Sequence, residues 1–234
     1  MGQKKLIRFA EIATFPNVFQ YPKDKKGKWG ENFGNEHPLT LELACGKGEY
    51  AVGLGTLYPD RNFIGIDLKG NRIWVGAKKA LQEKRTNIAF IRSQIDKITD
   101  YFNPGEVQEI WITFPDPQLR ISRAKKRLTH PRFLRLYQQI LSPGGYIHLK
   151  TDSPALYAFT KKVIDMYGLN LIEDISDLAI SPAANRPELA IKTHYEGLDI
   201  AGSQKIHYLC FRLTNGLEQD LDKQLLECLK TEGT

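Results

Sequence analysis

The chain of 234 residues is 41% hydrophobic and 26% charged, with a net charge of +6. These values are typical of one large folded domain, and they exclude a chain that is disordered over most of its length. No apolar run reaches the roughly 18 residues of a membrane helix, and we expect no secretory signal. The three cysteines, Cys45, Cys210 and Cys228, form no disulfide or zinc pattern, which favours a reducing, cytoplasmic setting.

The N-terminal segment, residues 1–37, is basic and polar, with aromatic residues, prolines and glycines interspersed. This composition is typical of an irregular or partly helical arm outside the core. From residue 38 onward, short apolar runs alternate with segments of helical spacing. Strands are predicted at 39–43, 62–67, 88–91, 107–114, 146–150, 170–174 and 206–213. Helices are predicted at 48–57, 72–84, 131–141 and 155–167.

This alternation predicts an α/β fold: a mostly parallel, seven-stranded sheet with helices on both faces. The last strand follows a long loop and no crossover helix, so we expect it to run antiparallel at the edge of the sheet. Ligands of such folds bind at the carboxyl ends of the strands, near the first strand–helix turn. Functional residues are therefore expected at these ends.

The turn after the first strand contains Gly46 and Gly48, which permit a tight bend close to a ligand. Asp67 ends the next strand, where a carboxylate can accept hydrogen bonds from ribose hydroxyls, so the two features indicate a nucleoside site. Gly46-x-Gly48-x-x-Ala51 also satisfies the dinucleotide fingerprint, which keeps a nicotinamide-dependent oxidoreductase as an alternative. Glu42 favours a cationic ligand such as S-adenosylmethionine, because a carboxylate there would repel a pyrophosphate.

Several motifs together resemble one enzyme family. Glu42-x-x-x-Gly46-x-Gly48 and Gly65-Ile-Asp67 are similar to the first two motifs of class I S-adenosylmethionine-dependent methyltransferases. Four further motifs resemble the bacterial tRNA (guanine-N7-)-methyltransferases in order and spacing: Phe114-Pro-Asp-Pro117, Lys125-Lys-Arg127, Leu149-Lys-Thr-Asp152 and Thr193-His-Tyr-Glu196. The resemblance implies a Rossmann-like class I methyltransferase domain over 38–234, after the basic arm 1–37. It also implies methyl transfer from S-adenosylmethionine to N7 of a guanine in tRNA, expected at position 46 of the variable loop.

The resemblance further implies roles for individual residues. Cofactor contacts are implied for Glu42, Gly46, Gly48, Asp67, Gln94 and Asp116, and Asp116 is also the implied catalytic carboxylate. Substrate contacts are implied for Arg120, Asp152, Thr193, His194, Tyr195 and Glu196. RNA contacts are implied for Ser122, Arg123, Ala124, Lys125, Lys126 and Arg127. The sequence departs from the family at Ser93-Gln94, where an Asp-Ala pair is usual, and at Gln118-Leu119, where Trp-His is common.

Guanine N7 carries a lone pair, so its methylation needs in-line placement and charge stabilisation but no strong general base. Asp116 suits this task because Pro115 and Pro117 stiffen its loop, although the same pattern is typical of a turn. Asp152 precedes Pro154 and can equally cap a helix. The five histidines are scattered, and we expect no metal site.

Residues 118–135 contain seven Lys and Arg and no acid, so the rest of the chain has a net charge of −1. Charge runs are commonly solvated faces. Because this run follows the implied catalytic loop, we expect it to bind tRNA phosphates. Another RNA or small-molecule acceptor and a non-catalytic RNA-binding module remain alternatives. We expect a monomer or homodimer that binds no membrane.

Overall fold

The structure, a computed structural model, describes residues 2–198, 202–214 and 216–232, whose strands form an eight-stranded sheet. The strands are β1 (Val18–Gln20), β2 (Leu39–Leu43), β3 (Asn62–Asp67), β4 (Ile88–Arg92), β5 (Val107–Thr113), β6 (Leu141–Thr151), β7 (Asn170–Ile175) and β8 (His207–Arg212). Their order is β1-β4-β3-β2-β5-β6-β8-β7, with β1 to β6 parallel and β8 antiparallel to both neighbours. The predicted mostly parallel sheet is confirmed.

Helices cover both faces of this sheet, as predicted. They are α1 (Gly2–Glu11), α2 (Trp29–Phe33), α3 (Glu49–Leu57), α4 (Gly70–Gln82), α5 (Pro131–Ile140), α6 (Pro154–Met166), α7 (Pro187–Ala190) and α8 (Leu221–Glu232). Side chains of α5, α6 and α8 form the core on one face, and those of α3, α4 and α7 pack on the other. Strand β2 lies in the middle, and all five of its residues are buried.

The N-terminal segment is partly helical as predicted, but the expectation that it lies outside the core is wrong. Strand β1 pairs in parallel with β4 and adds an eighth strand. Ile12 and Trp29 are at most 1% exposed, and the Trp29 indole N–H donates to the Tyr101 carbonyl at 2.9 Å. Apolar burial therefore fixes this segment to the edge of the sheet. The predicted domain end at residue 234 lies outside the described residues.

Strand β8 runs antiparallel, as predicted, but its predicted place at the edge is wrong. It is inserted between β6 and β7. The burial of the two strands explains this order. Five of the six β8 residues are buried, which requires a neighbour on each side, whereas the first three residues of β7 are exposed. The strand with the more solvated residues thus forms the edge.

Within the described ranges, no helix is long and apolar enough to cross a membrane. The same residues contain no group of three or more His, Cys, Asp or Glu side chains placed to hold a metal ion.

Candidate functional site

The chain runs from β2 outward through β3 to β4, and then returns to build β5 and β6 on the other side of β2. This reversal places a topological switch point between β2 and β5, where folds of this class bind ligands. The backbone leaves both strands in the left-handed region, at Ala44 with φ +55° and at Phe114 with φ +46°. Such strain in non-glycine residues clusters at functional sites. The predicted ligand edge of the sheet therefore has the strained backbone that is typical of a functional site.

The glycine turn after β2 depends on its glycines for two separate reasons. Gly46 and Gly48 have φ values of +56° and +71°. A Cβ at Gly48 would lie 2.4 Å from the Phe90 ring. Asp67 holds the turn from β3, because its Oδ2 accepts the Gly46 N–H at 2.9 Å and its Oδ1 accepts the Lys69 N–H at 2.8 Å. Each carboxylate oxygen keeps a further lone pair for a ligand hydroxyl.

Glu42 is buried beneath this turn and is 3% exposed. Its Oε2 accepts the Ala51 N–H at 2.8 Å, and the Thr113 hydroxyl donates to its Oε1 at 3.1 Å. Desolvation by burial raises the pKa of Glu42 to about 8, against which the two hydrogen bonds act. Glu42 thus connects β2, α3 and β5 and does not line the cavities described next.

Four of the predicted residues meet in one cavity of about 640 Å³ at the carboxyl ends of the strands. Asp67, Asp116, Asp152 and Tyr195 all line it. These residues come from four different motifs that are far apart in the sequence. The structure therefore places three carboxylates around one space large enough for a small ligand.

A second cavity, of about 320 Å³, adjoins the first, and Ala44 and Asp67 line both. Gln94 supplies a polar side chain to the second cavity, and its apolar wall comes from Ile95, Leu128 and Phe133. An apolar slot with one amide suits a planar base, and the shared carboxylate of Asp67 suits a ribose. Gly48 instead lines a separate groove of about 650 Å³ between α3 and α4. The two joined cavities thus fit a nucleoside with a charged tail.

Asp116 is exposed at the centre of a loop that we call the Asp116 loop, residues 114–119. Its Oδ1 accepts the Gln118 N–H at 3.0 Å, which is the turn-forming role that the prolines also suggest. Gln118, like Phe114, has a positive φ, of +47°. Asp116 therefore belongs to the turn and also lines the cavity, so the two interpretations of its sequence pattern are compatible.

Asp152 is half-buried at the end of β6 and does not cap α6 through its side chain. Ser153 is the cap, because its hydroxyl accepts the Leu156 N–H at 3.3 Å, and Pro154 opens the helix. The Thr151 hydroxyl accepts the Ser153 N–H at 3.1 Å. With capping assigned to Ser153, the Asp152 carboxylate lines the larger cavity.

A buried lysine that the sequence analysis did not single out anchors the segment 189–196. Lys150 is fully buried in β6, and its Nζ donates to the carbonyls of Leu189 and Ile191 at 2.8 and 3.0 Å. The same Nζ bonds Glu196 Oε2 at 3.0 Å. Burial lowers the pKa of Lys150, whereas Glu196 acts to raise it. The sequence shows only that Lys150 lies near the end of an apolar strand, which does not reveal the partners of its side chain.

The remaining residues of the fourth motif form a turn around this anchor. The Thr193 hydroxyl accepts the Glu196 N–H at 3.2 Å, and Thr193 is buried. Tyr195 reaches the cavity, where its ring lies 5.6 Å from the Arg72 guanidinium. His194 is exposed beside the Tyr195 ring, with a centroid distance of 5.6 Å. Only Tyr195 of this motif lines the larger cavity.

The predicted RNA-contacting stretch divides into exposed and buried residues. Ser122, Arg123, Lys125 and Lys126 are exposed, as is the predicted substrate residue Arg120. Ala124 and Arg127 are buried, at 3% and 5% exposure. The structure therefore does not present Ala124 or Arg127 to a phosphate backbone.

Two arginines of the same basic run are paired with acids. Arg132 lies 3.4 Å from Asp96, and Arg135 lies 2.6 Å from Asp222. Arg135 also donates to the Leu217 and Glu218 carbonyls. Within the described ranges, no ion pair engages Arg120, Arg123, Lys125 or Lys126. These four cations remain for a partner.

Comparison with solved structures shows the same fold in known methyltransferases. The 16S rRNA methyltransferase KamB has a TM-score of 0.58 at 13% identity, over 79% of this chain and 92% of its own. A SAM dependent methyltransferase from Aquifex aeolicus has a TM-score of 0.52 at 12% identity, over 79% of this chain and 87% of its own. At these identities the likeness concerns the fold alone.

Comparison with sequences is more specific. A family model described as putative methyltransferase matches residues 36–208. A tRNA (guanine-N(7)-)-methyltransferase of Bacteroides thetaiotaomicron is 42% identical over 96% of this chain and 92% of its own. Those of Porphyromonas gingivalis and Bacillus subtilis are 47% and 36% identical, over 86% and 80% of this chain and 86% and 85% of their own. The chain therefore belongs to this methyltransferase family, together with the proteins named tRNA (guanine-N(7)-)-methyltransferase.

Proposed function

We propose that the protein transfers a methyl group from S-adenosylmethionine to N7 of a guanine in tRNA, at position 46 of the variable loop, and forms 7-methylguanosine. The observation that carries the proposal is the convergence of Asp67, Asp116, Asp152 and Tyr195 on one cavity beside a base-sized slot. The names of the similar proteins support the choice of tRNA and N7. The proposal also includes tRNA as the partner of the protein and the cytoplasm as its location.

Five residues are proposed to hold S-adenosylmethionine. Asp67 accepts the ribose hydroxyls, Gln94 holds the adenine through its amide, and the Gly46 turn approaches the tail. Glu42 acts from below this turn, and Asp116 faces the methyl-donor end. When bound, the cofactor supplies an electrophilic methyl group on a cationic sulfur. A wall with three carboxylates at the larger cavity suits such a cation.

The protein's own residues orient the guanine and stabilise its charge. N7 needs no deprotonation, so the proposed task of Asp116 is to accept hydrogen bonds from the guanine N1–H and amino group. The carboxylate also stabilises the positive charge that the ring gains on methylation. Asp152 and Tyr195 line the same space, and Arg120, Thr193, His194 and Glu196 are proposed to complete the substrate contacts.

The exposed cations Arg123, Lys125 and Lys126 follow directly after the Asp116 loop. Phosphate contacts here position the RNA without reading its sequence. Enzymes that act on a stacked base extrude it into the site, and we propose the same for this guanine.

Methyl transfer from labelled S-adenosylmethionine to unmodified tRNA, followed by nucleoside analysis, tests the function. We expect label in 7-methylguanosine, and a tRNA with adenine at position 46 should accept none. Asp116→Asn should lower kcat by about 100-fold or more, because the amide loses the anionic charge, whereas cofactor binding measured by calorimetry should weaken far less, since Asp67 and Gln94 keep their contacts. Label in another nucleoside, or in a small molecule only, would exclude the proposed reaction. Near-normal turnover of Asp116→Asn would exclude the role of Asp116.

A further inference from the structure

We propose that Arg127 is a positioning residue that holds the Asp116 loop in its active shape, and that it does not contact RNA phosphates. The inference rests on the proposed function. It assigns Arg127 a task within that site, although its place in a basic run suggests an RNA contact.

Arg127 is directed inward and bonds three consecutive carbonyls of the loop. Its Nε donates to the carbonyls of Pro117 and Gln118 at 3.2 and 3.3 Å. Its Nη2 donates to those of Gln118 and Leu119 at 3.2 and 3.4 Å. A planar guanidinium provides this fork of donors, whereas a lysine ammonium cannot span the three acceptors.

The guanidinium is also stacked on an aromatic ring of α6. Its central carbon lies 4.4 Å from the centre of the Phe159 ring, and Phe159 is 3% exposed. Withdrawal of Arg127 toward a phosphate would leave this ring and the three carbonyls without their partner. Leaving these partly buried carbonyls unpaired is unfavourable, which opposes the outward orientation.

The Asp116 loop requires such a clamp because its backbone is strained. Phe114 and Gln118, on either side of Asp116, have φ values of +46° and +47°. Non-glycine residues keep this conformation only where their surroundings determine it. The bonds from Arg127 to Pro117, Gln118 and Leu119 constrain the side of the loop that follows Asp116, and so they fix the direction of its carboxylate.

Arg127→Lys separates the two roles, with the exposed neighbour Lys126→Gln as the control. A phosphate contact survives the change to lysine, whereas the three-carbonyl clamp does not. We expect Arg127→Lys to lower kcat by about 10- to 100-fold, with the KM for tRNA and its salt dependence unchanged. Lys126→Gln should instead raise the KM for tRNA and reduce the salt slope by about one, with kcat retained. Normal kcat for Arg127→Lys would overturn the proposal.

A second variant covers the case in which Arg127→Lys fails to fold. Phe159→Leu removes the ring beneath the guanidinium but leaves its charge and every surface cation in place. The positioning role requires a lower kcat at constant KM for tRNA. Unchanged kcat in a folded Phe159→Leu protein would contradict the clamp.

Amide hydrogen exchange of the RNA-free protein tests the clamp without reference to the reaction. In Arg127→Lys, the Gln118 amide should exchange faster than in the wild type, while amides of β5 stay protected. If the Gln118 amide exchanges faster in Arg127→Lys but the wild type leaves tRNA unmodified, the clamp is retained and the proposed function is rejected. Unchanged exchange of the loop would reject the clamp itself.

Discussion

At the scale of single residues, burial decides what an ionisable side chain does at this site. Glu42 and Asp67 end up close together, yet Glu42 is buried and Asp67 is half-exposed at the cavity. Desolvation raises the pKa of Glu42 to about 8, so it carries a proton at neutral pH in the ligand-free protein. A cationic ligand above the turn would favour loss of that proton.

The raised pKa of Glu42 makes stability depend on pH. Between pH 4.5 and about 8 the folded protein keeps this proton and the unfolded chain releases it, so stability falls as pH rises through this window. In Glu42→Gln the amide oxygen can accept the Ala51 N–H, and the amide N–H can donate to the Thr113 hydroxyl, so both contacts are kept without an ionisable group. The free energy of unfolding, measured with urea, should therefore fall for the wild type relative to the variant as pH rises to about 8. Above that pH the difference between the two proteins should stay constant. The exposed Glu31→Gln variant is the control for the change in net charge. Parallel pH curves of the wild type and Glu42→Gln would contradict the raised pKa of Glu42.

The sequence identified the residues that line the cavity better than those that support them. Asp67 was predictable because it ends a strand whose carboxyl end faces the ligand edge, whereas Asp116 and Asp152 were identified through the motifs that resemble the family. Arg127 and Lys150 were not, because their burial depends on Phe159 from α6 and on carbonyls from other segments. A charged residue in a sequence carries no sign of whether its partners will be water or buried acceptors.

At the scale of elements, the site combines rigid strand ends with one long segment between β7 and β8. The strand ends were predictable from apolar runs and the glycine turn, whereas β1 has only three residues and gave no periodic signal. The segment 189–196 has regular structure only at its two ends, and Lys150 joins it to β6 through the ion pair with Glu196 and the bonds to the Leu189 and Ile191 carbonyls. The Lys150 ammonium group thus helps to hold Tyr195 at the cavity, together with the core packing of Leu189 and the Arg72 guanidinium beside the Tyr195 ring.

Removal of this ammonium should loosen the whole segment. Lys150→Met keeps the length of the side chain but leaves Glu196 and two carbonyls without their donor, at a cost of about 3 kcal/mol or a Tm lower by about 6–12 °C. The KM for tRNA should rise as Tyr195 loses its place. Lys161→Met is the matched control, because it breaks a partly exposed pair with Asp174 at 2.6 Å and should cost below about 1 kcal/mol. Equal Tm changes in the two variants would contradict the anchoring role.

At the scale of the whole molecule, folding reduces the basic run to a smaller set of available charges. The sequence localised the positive charge to residues 118–135 but did not show which of its members are engaged. Arg127 faces inward, and Arg132 and Arg135 are paired with Asp96 and Asp222. The exposed cations Arg120, Arg123, Lys125 and Lys126 remain beside the Asp116 loop. These four cations give the proposed RNA-binding face its positive charge next to the cavity.

This distribution predicts how tRNA affinity responds to salt. Each phosphate contact releases counterions, so the logarithm of the affinity should fall linearly with the logarithm of the salt concentration. Replacement of Lys125 and Lys126 by glutamine should reduce the slope by about two. Arg132→Gln, which removes a cation already paired with Asp96, should leave the slope nearly unchanged. Fluorescence anisotropy with labelled tRNA across a KCl series measures all three proteins. Equal slopes in the Lys125/Lys126 variant and the wild type would place the RNA on another surface, because a basic face that binds no phosphate cannot release counterions.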